Sequence, residues 1–333
     1  MKHFISRRNF LKAAGVTAAA SAMAAAVPQA SAGFLTGKDA AVTILYTNDV
    51  HTYIDNKSPK LTYAAIAAMK QGYVDEGKPV LLVDAGDHIQ GTAYGSMDNG
   101  ATIIELMNEA GYDIATLGNH EFDYGVDRLM ELAAGAEFPY LSCNFTGLAA
   151  GEPVFQPYAL LDYGDTTVGY VGICTPESLT KTDPTYFRDE AGEAVYGFRQ
   201  GGDGQELYDC VQAAVDQARA GGADYVVALG HLGIDEQSSP WTSTEVIANT
   251  TGIDVLIDGH SHSTFEKTEK NKDGEDVVVA QTGTKLENLG KVVIDTATGE
   301  ITSELVAAKD CAAEDEATAA FVKGINDEFA EVL

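Results

Sequence analysis

The chain has 333 residues, 45% of them hydrophobic, and its 50 acidic against 21 basic side chains give a formal net charge of -29. That length and apolar fraction exclude a disordered polymer and allow one large or two ordinary domains around a sizeable core. The acidity excludes a polyanion-binding surface, so no nucleic-acid polymer and no anionic membrane is expected as a partner.

In chain order, the segment SRRNFLKAAGVTAAASAMAAAVPQASA sets Arg7 and Arg8 ahead of an Ala-rich run and ends on Ala30-Ser31-Ala32. It reads as a twin-arginine export signal over residues 1–32, handled by the twin-arginine translocase, with a short linker at 33–40. The run from Ala13 to Val27 is diluted by Ala and short of the roughly 20 apolar residues that span a bilayer, and no later segment is long and apolar enough. No Cys follows the small-residue site, so lipid attachment is not expected there. Residues 1–32 carry four basic and no acidic side chains, so their removal takes the charge from -29 to -33. The product is expected in the periplasm, on the cell surface or secreted, without stable membrane association. Such a surface weakly repels small anions too. An anion site must therefore be made attractive locally, and bound metal cations would do that.

From residue 41 onward, short apolar runs alternate with amphipathic segments. AVTILYT, PVLLVDA, DIATL, TTVGYVGI, DYVVAL, IDVLI and DVVVAQ each have the length of a buried strand. Helical patterns lie among them: LTYAAIAAMKQGYVDEG, ATIIELMNEAG, GVDRLMELAAG and ELYDCVQAAVDQARAGG. This alternation argues for an α/β layered fold. The stretch from about Asn144 to Gly204 is rich in Gly, Pro and Asp and is expected to hold excursions over the active face. At the end, Phe321, Ile325 and Phe329 form one apolar helical stripe. Residues 311–333 therefore read as a terminal helix, packed on the domain or connecting to a second one.

The strand ends carry the chemistry. Asn48-Asp49-Val50-His51 follows the first run, Gly86-Asp87 the second, and Gly118-Asn119-His120-Glu121 the third. Gly230-His231 follows DYVVAL, and Gly259-His260-Ser261-His262 follows IDVLID. Ligand sites in open α/β sheets gather beyond the carboxyl ends of strands, so these five ends can converge. Of the six histidines after residue 32, five stand in these motifs and the sixth, His88, follows Asp87. One histidine alone reads as an ordinary hydrogen-bonded ring; the set, with Asp49, Asp87 and Asn119 beside it, reads as a metal centre.

Mixed imidazole and carboxylate donors suit Zn, Mn, Fe or Co, whereas Ca and Mg prefer oxygen throughout. Seven or eight candidates exceed what one ion needs. Two divalent metal ions sharing a carboxylate account for the excess; such a pair acidifies a bound water and clamps a tetrahedral anion.

The series D-x-H, G-D, G-N-H-E-F-D, G-H and G-H-S-H resembles the calcineurin-like dinuclear metallophosphoesterases, and within them the catalytic domain of the 5'-nucleotidase family. YTNDVH, GDHIQGT, LGNHEFDYG and GHSHSTF are similar to its local signatures, over about residues 41–310. The resemblance implies a four-layer αββα sandwich. It implies Asp49, His51, Asp87 and His262 as ligands of one metal, and a shared Asp87 with Asn119, His231 and His260 as ligands of the other. It makes His120 a catalytic residue, facing the transferred phosphoryl group and the leaving oxygen, with Asp123 orienting it; an alternative for Asp123 is an N-cap near Gly125. Glu121 reads as structural. His88 lies near enough to meet substrate but has no role in the pattern.

The implied function is an exported metal-dependent phosphohydrolase acting on a small phosphorylated substrate, a nucleotide or related phosphomonoester. Two alternatives stand beside it: a thiosulfohydrolase-like enzyme of sulfur oxidation with the same fold, and a non-catalytic exported metal binder. Two-domain relatives read the base with a C-terminal domain; the sequence to Leu333 runs to about where the connecting helix would lie, which reads either as a fragment or as a lone catalytic domain with a more open site. Trp241 and Tyr94 are candidates for stacking in that domain's place, though lone aromatics mostly pack. Cys143, Cys174, Cys210 and Cys311 form no C-x-x-C pair, and three disulfide pairings are open; Cys210 reads as core.

Overall fold

The computed structural model describes residues 41–54, 60–311 and 313–332, so the signal and linker read at 1–40 lie outside the described residues. The first part of the chain supplies β1 (Ala41–Thr47), β2 (Val80–Asp84), β3 (Ile114–Thr116) and β4 (Tyr140–Leu141). Next come β5 (Phe145–Gly147), β6 (Glu152–Pro153), β7 (Tyr158–Asp162), β8 (Thr167–Cys174) and β9 (Tyr196–Phe198). The remaining strands are β10 (Tyr225–His231), β11 (Val255–Ile257), β12 (Thr264–Lys270), β13 (Asp276–Thr282), β14 (Asn288–Asp295) and β15 (Ile301–Ala307).

Two six-stranded sheets form, in the orders β15-β14-β1-β2-β3-β4 and β12-β13-β11-β10-β8-β7. β1 to β4 run parallel, as do β8, β10, β11 and β13, while the outer strands are antiparallel. Side-chain alternation builds three cores from these two sheets. Val42, Ile44 and Tyr46 of β1 meet Val227 and Leu229 of β10 in the middle core. Leu45 points the other way, under the helices Tyr63–Asp75 and Ala101–Ala110. Val226 and Ala228 likewise turn outward, beneath the helices Gln205–Ala220 and Ser243–Asn249. The result is the expected αββα sandwich.

Local signals fix the helix ends. Thr62 caps the first helix by accepting from Ala65 N at 3.1 Å, and Gly111 ends the second at φ 80, a conformation costly for any residue with a Cβ. Thr242 and Glu245 form a reciprocal capping box at Ser243–Asn249. The helix Glu316–Val332 buries Ile325 and Phe329 in the same core as the first two helices.

Within the stretch 144–204, β8 is the expected run TTVGYVGI and β7 joins it at the edge of the second sheet; the small sheet β6-β5-β9 and short helical turns stand outside the two layers. β12, TFEKTEK, is an edge strand whose charged face kept it from reading as an apolar run. No helix among the described residues is long and apolar enough to cross a membrane.

Candidate metal centre

The carboxyl ends of both sheets meet at one edge. His231, the last residue of β10, donates from Nδ1 to the carbonyl of Ala85, just past β2, at 2.7 Å. Asp49 N bonds Gly86 O at 2.9 Å, and His260 N reaches both carboxylate oxygens of Asp49 at 3.1 and 3.0 Å. The loops after β1, β2, β10 and β11 are thus stitched together by hydrogen bonds that each include a backbone group.

These loops are tightly wound. Nine non-glycine residues among those described have positive φ, and five of them are Asp49, His51, Asp87, His260 and His262. Each such residue costs on the order of 1–3 kcal/mol, a strain that concentrates at functional sites. The glycines beside them leave no room for a side chain. A Cβ on Gly118 would stand 2.2 Å from Asp87 Oδ1, and one on Gly259 would stand 2.9 Å from Asp49 Oδ2.

Asp49, His51, Asp87 and His262 bring one donor atom each to within 4.8 Å of one another, a geometry that could hold a metal ion. A carbonyl can only accept, so His51 Nδ1, 3.1 Å from Gln90 O, must carry the ring proton in the neutral ring; His51 Nε2 then turns a lone pair toward His262 Nε2, 3.0 Å away. His231 is fixed the same way by Ala85 O. Its Nε2 lies 3.2 Å from Asp87 Oδ2, is buried and makes no hydrogen bond. Asn119 Oδ1 is also buried without a partner. A buried acceptor left unpaired costs about 1–3 kcal/mol, so a cation within reach of these two atoms would satisfy both. Asp87 Oδ2 thus faces His231 Nε2 at 3.2 Å and His51 Nε2 at 3.8 Å.

Burial alone would raise the Asp87 carboxyl, but the charges of His231, His120 and His51 outweigh it and hold it well below the usual carboxylate range. Burial opposes the charge of His231, yet the carboxylates of Asp87 and Asp49 push the ring up to about 10, so a cation at Nε2 would compete with a proton held there. Burial dominates at His51 and lowers it.

His120 stands at the rim with its side chain partly exposed. Its backbone N bonds Asp87 Oδ1 at 2.8 Å, its Nδ1 meets Asp123 Oδ2 at 2.6 Å, and its ring lies 5.3 Å from that of His51. Burial disfavours the charged ring, yet the Asp123 hydrogen bond and the nearby carboxylates raise it to about 9. Asp123 does not cap the following helix, which begins at Gly125 without any side-chain cap.

A family model described as calcineurin-like phosphoesterase matches residues 42–264, and a twin-arginine translocation signal model matches residues 5–26. The chain belongs to the calcineurin-like phosphoesterase family. It is 32% identical to human 5'-nucleotidase over 241 residues, 67% of this chain and 38% of that protein. It is 30% identical to the trifunctional nucleotide phosphoesterase protein YfkN of Bacillus subtilis, over 68% of this chain and 17% of the relative. Among solved structures, the 5'-nucleotidase precursor from Thermus thermophilus superposes with a TM-score of 0.71 at 24% identity, covering 87% of this chain and 59% of the other. The chain thus spans well under half the length of these two curated relatives. The signal marks it for export out of the cytoplasm.

Several residues of the chain play parts that its motifs do not reveal. Glu121 is buried, and its carboxylate accepts from the backbone N of Gly118, Asp87 and His88 at 2.6, 2.8 and 2.9 Å, clasping two of the loops. His88 does not meet substrate: it is fully buried, hydrogen-bonded to Asp84 Oδ1 at 2.8 Å and to the Tyr140 hydroxyl at 2.6 Å. Trp241 and Tyr94, read as candidates for stacking, are both half-buried and engaged by neighbours. The Trp241 indole donates to Gln200 O and Gly201 O, and Tyr94 packs on Phe329 and bonds Asn326. Glu177, just past the end of β8, accepts from Ser238 Oγ at 2.7 Å and lies 2.7 Å from His260 Nε2. Its signal was present, since Thr175-Pro176-Glu177 follows the run ending at Cys174 as the other motifs follow theirs.

Proposed function

We propose that the protein is an exported dinuclear-metal phosphohydrolase that releases phosphate from nucleotides or related phosphomonoesters. The observation that carries this reading is the cluster of Asp49, His51, Asp87 and His262 donors, joined by the buried His231 Nε2 3.2 Å from Asp87 Oδ2, with Asn119 Oδ1 likewise buried without a partner. Asp49, His51, Asp87 and His262 would hold one divalent cation. Asp87, shared, would hold the other with Asn119, His231 and His260. Glu177 takes His260 Nε2, which leaves Nδ1 as that ring's donor to the cation. Zn, Mn, Co or Fe suits such imidazole-rich sets. Once bound, the two cations would supply Lewis acidity and an acidified water.

The protein's own groups do the rest. Asp123 engages His120 Nδ1 and favours the imidazolium, so Nε2 is the proton donor toward the leaving oxygen and a positive partner for the phosphoryl charge. Residues 41–310 form the catalytic unit in this reading. The named activities of the relatives, 5'-nucleotidase and nucleotide phosphoesterase, support a nucleotide substrate.

The test is phosphate release from AMP, cyclic nucleotides and p-nitrophenyl phosphate with added Mn or Zn. Release from at least one supports the proposal. Release from none overturns it and leaves the thiosulfohydrolase and metal-binder readings.

A further inference from the structure

Sequence alone leaves three disulfide pairings open among the four cysteines; the fold distinguishes them. Cys174 turns its thiol toward Gly118 O, Thr175 O and Ser178 Oγ, and Cys311 packs against the core beneath the first helices. Cys143 and Cys210 belong to the opposite core, under the helix Gln205–Ala220. Cys210 Sγ donates to the carbonyl oxygen of Cys143 at 3.0 Å, which puts the two residues in direct contact.

The two positions are held firmly by their surroundings. Cys143 N bonds Gly172 O of β8 at 2.8 Å, and the next residue, Asn144, accepts Arg199 N at 2.8 Å. Cys143 is buried and Cys210 partly exposed. Their acidities differ in a useful direction. The Cys143 side chain and the Arg199 charge lower Cys210, while the Cys210 side chain and burial raise Cys143. The accessible sulfur is therefore the better thiolate and the buried one its neighbour in waiting, the usual arrangement of an attacking and a resolving cysteine. The export signal directs the chain to a compartment where disulfides persist.

We infer that Cys143 and Cys210 form a disulfide after export, with a small-molecule or protein disulfide as the electron acceptor. The Cys210 thiolate attacks one sulfur of the acceptor and expels the other as a thiolate. Cys143 then loses its proton to solvent and attacks Cys210 Sγ, forming the new S–S bond and releasing the acceptor's first sulfur. Two electrons pass to the acceptor, which leaves as two thiols; both protein thiols lose their protons. The cross-link ties the β4–β5 connection to the helix covering the second sheet, closing a long loop of the unfolded chain.

The experiment uses the mature protein equilibrated with oxidised glutathione, denatured without reductant and alkylated, then mapped by mass spectrometry. Cys174 and Cys311 are expected to carry label, and Cys143 and Cys210 to be recovered as one cross-linked peptide pair that takes label only after reduction. Labelling of both Cys143 and Cys210 before reduction overturns the inference, as does a cross-link between any other pair. The thermal midpoint gives a second readout: oxidation raises it by several degrees in the unaltered protein and not in Cys143→Ser/Cys210→Ser. An equal rise in that double variant contradicts the assignment.

Discussion

His120 Nδ1 and Asp123 Oδ2 meet at 2.6 Å, three residues apart in the chain and at the rim of the Asp87 carboxylate cluster. A metal store has no use for a charged imidazole that is not among the metal donors. His120→Ala is expected to keep the metal stoichiometry while turnover falls by about 10² or more. Steady-state kinetics alongside metal analysis of the same preparation checks this, and loss of both together would make His120 structural.

The pH profile follows from the same contact. His120 is raised from the ordinary histidine range to about 9, so the imidazolium needed as proton donor is present at lower pH and is lost as pH rises through that value. Asp123→Asn removes the carboxylate charge that favours the imidazolium, so the alkaline limb of kcat should move toward neutrality with KM little changed. A limb that stays in place in Asp123→Asn assigns the ionisation to another group.

Glu177 should be felt through the metal rather than through the substrate. With its carboxylate 2.7 Å from His260 Nε2, Glu177→Ala is expected to weaken binding at one of the two metal sites by about 10–100-fold. Glu177→Gln, which still accepts a hydrogen bond, should recover part of the loss. Isothermal titration of metal-stripped protein resolves the two sites; equal affinity in the unaltered and Ala forms would remove Glu177 from the centre.

His262 and Gly118 should respond oppositely to small changes. The side chain of His262 is 44% exposed, the most open of the donors in the first quartet, so His262→Gln should keep activity and shift metal preference. Gly118→Ala sets a methyl 2.2 Å from Asp87 Oδ1 and should abolish turnover and lower the thermal midpoint. Activity assays across several metals, with a melting curve for each variant, separate the two outcomes.

The motif residues were legible because each follows a run of β-branched and aliphatic residues, and a strand's carboxyl end in a parallel sheet is where side chains converge. Asp49, Asp87, Asn119 and His231 could thus be read before their distances were known. β14 and β15 were harder to find: they pair antiparallel at a sheet edge, and polar residues on the outer face interrupt the apolar run. Glu177 stands past a strand end and Glu121 reads as structural, but the partners of these two and of Asp84 could not be read. Their work consists of hydrogen bonds to backbone amides and imidazoles from distant segments, such as Glu121 to Asp87 N at 2.8 Å, and no local spacing encodes a long-range partner. His88 shows the converse, since its place beside Asp87 suggested the site while its ring is buried between Asp84 and Tyr140.

The most direct test of the central claim is a titration of metal-stripped protein with Mn or Zn, following phosphate release from AMP and bound metal in the same samples. Activity that rises with two bound equivalents, and that His231→Ala limits to one inactive equivalent, is the predicted result. Full hydrolysis with one equivalent or none would contradict a two-metal centre built on Asp87.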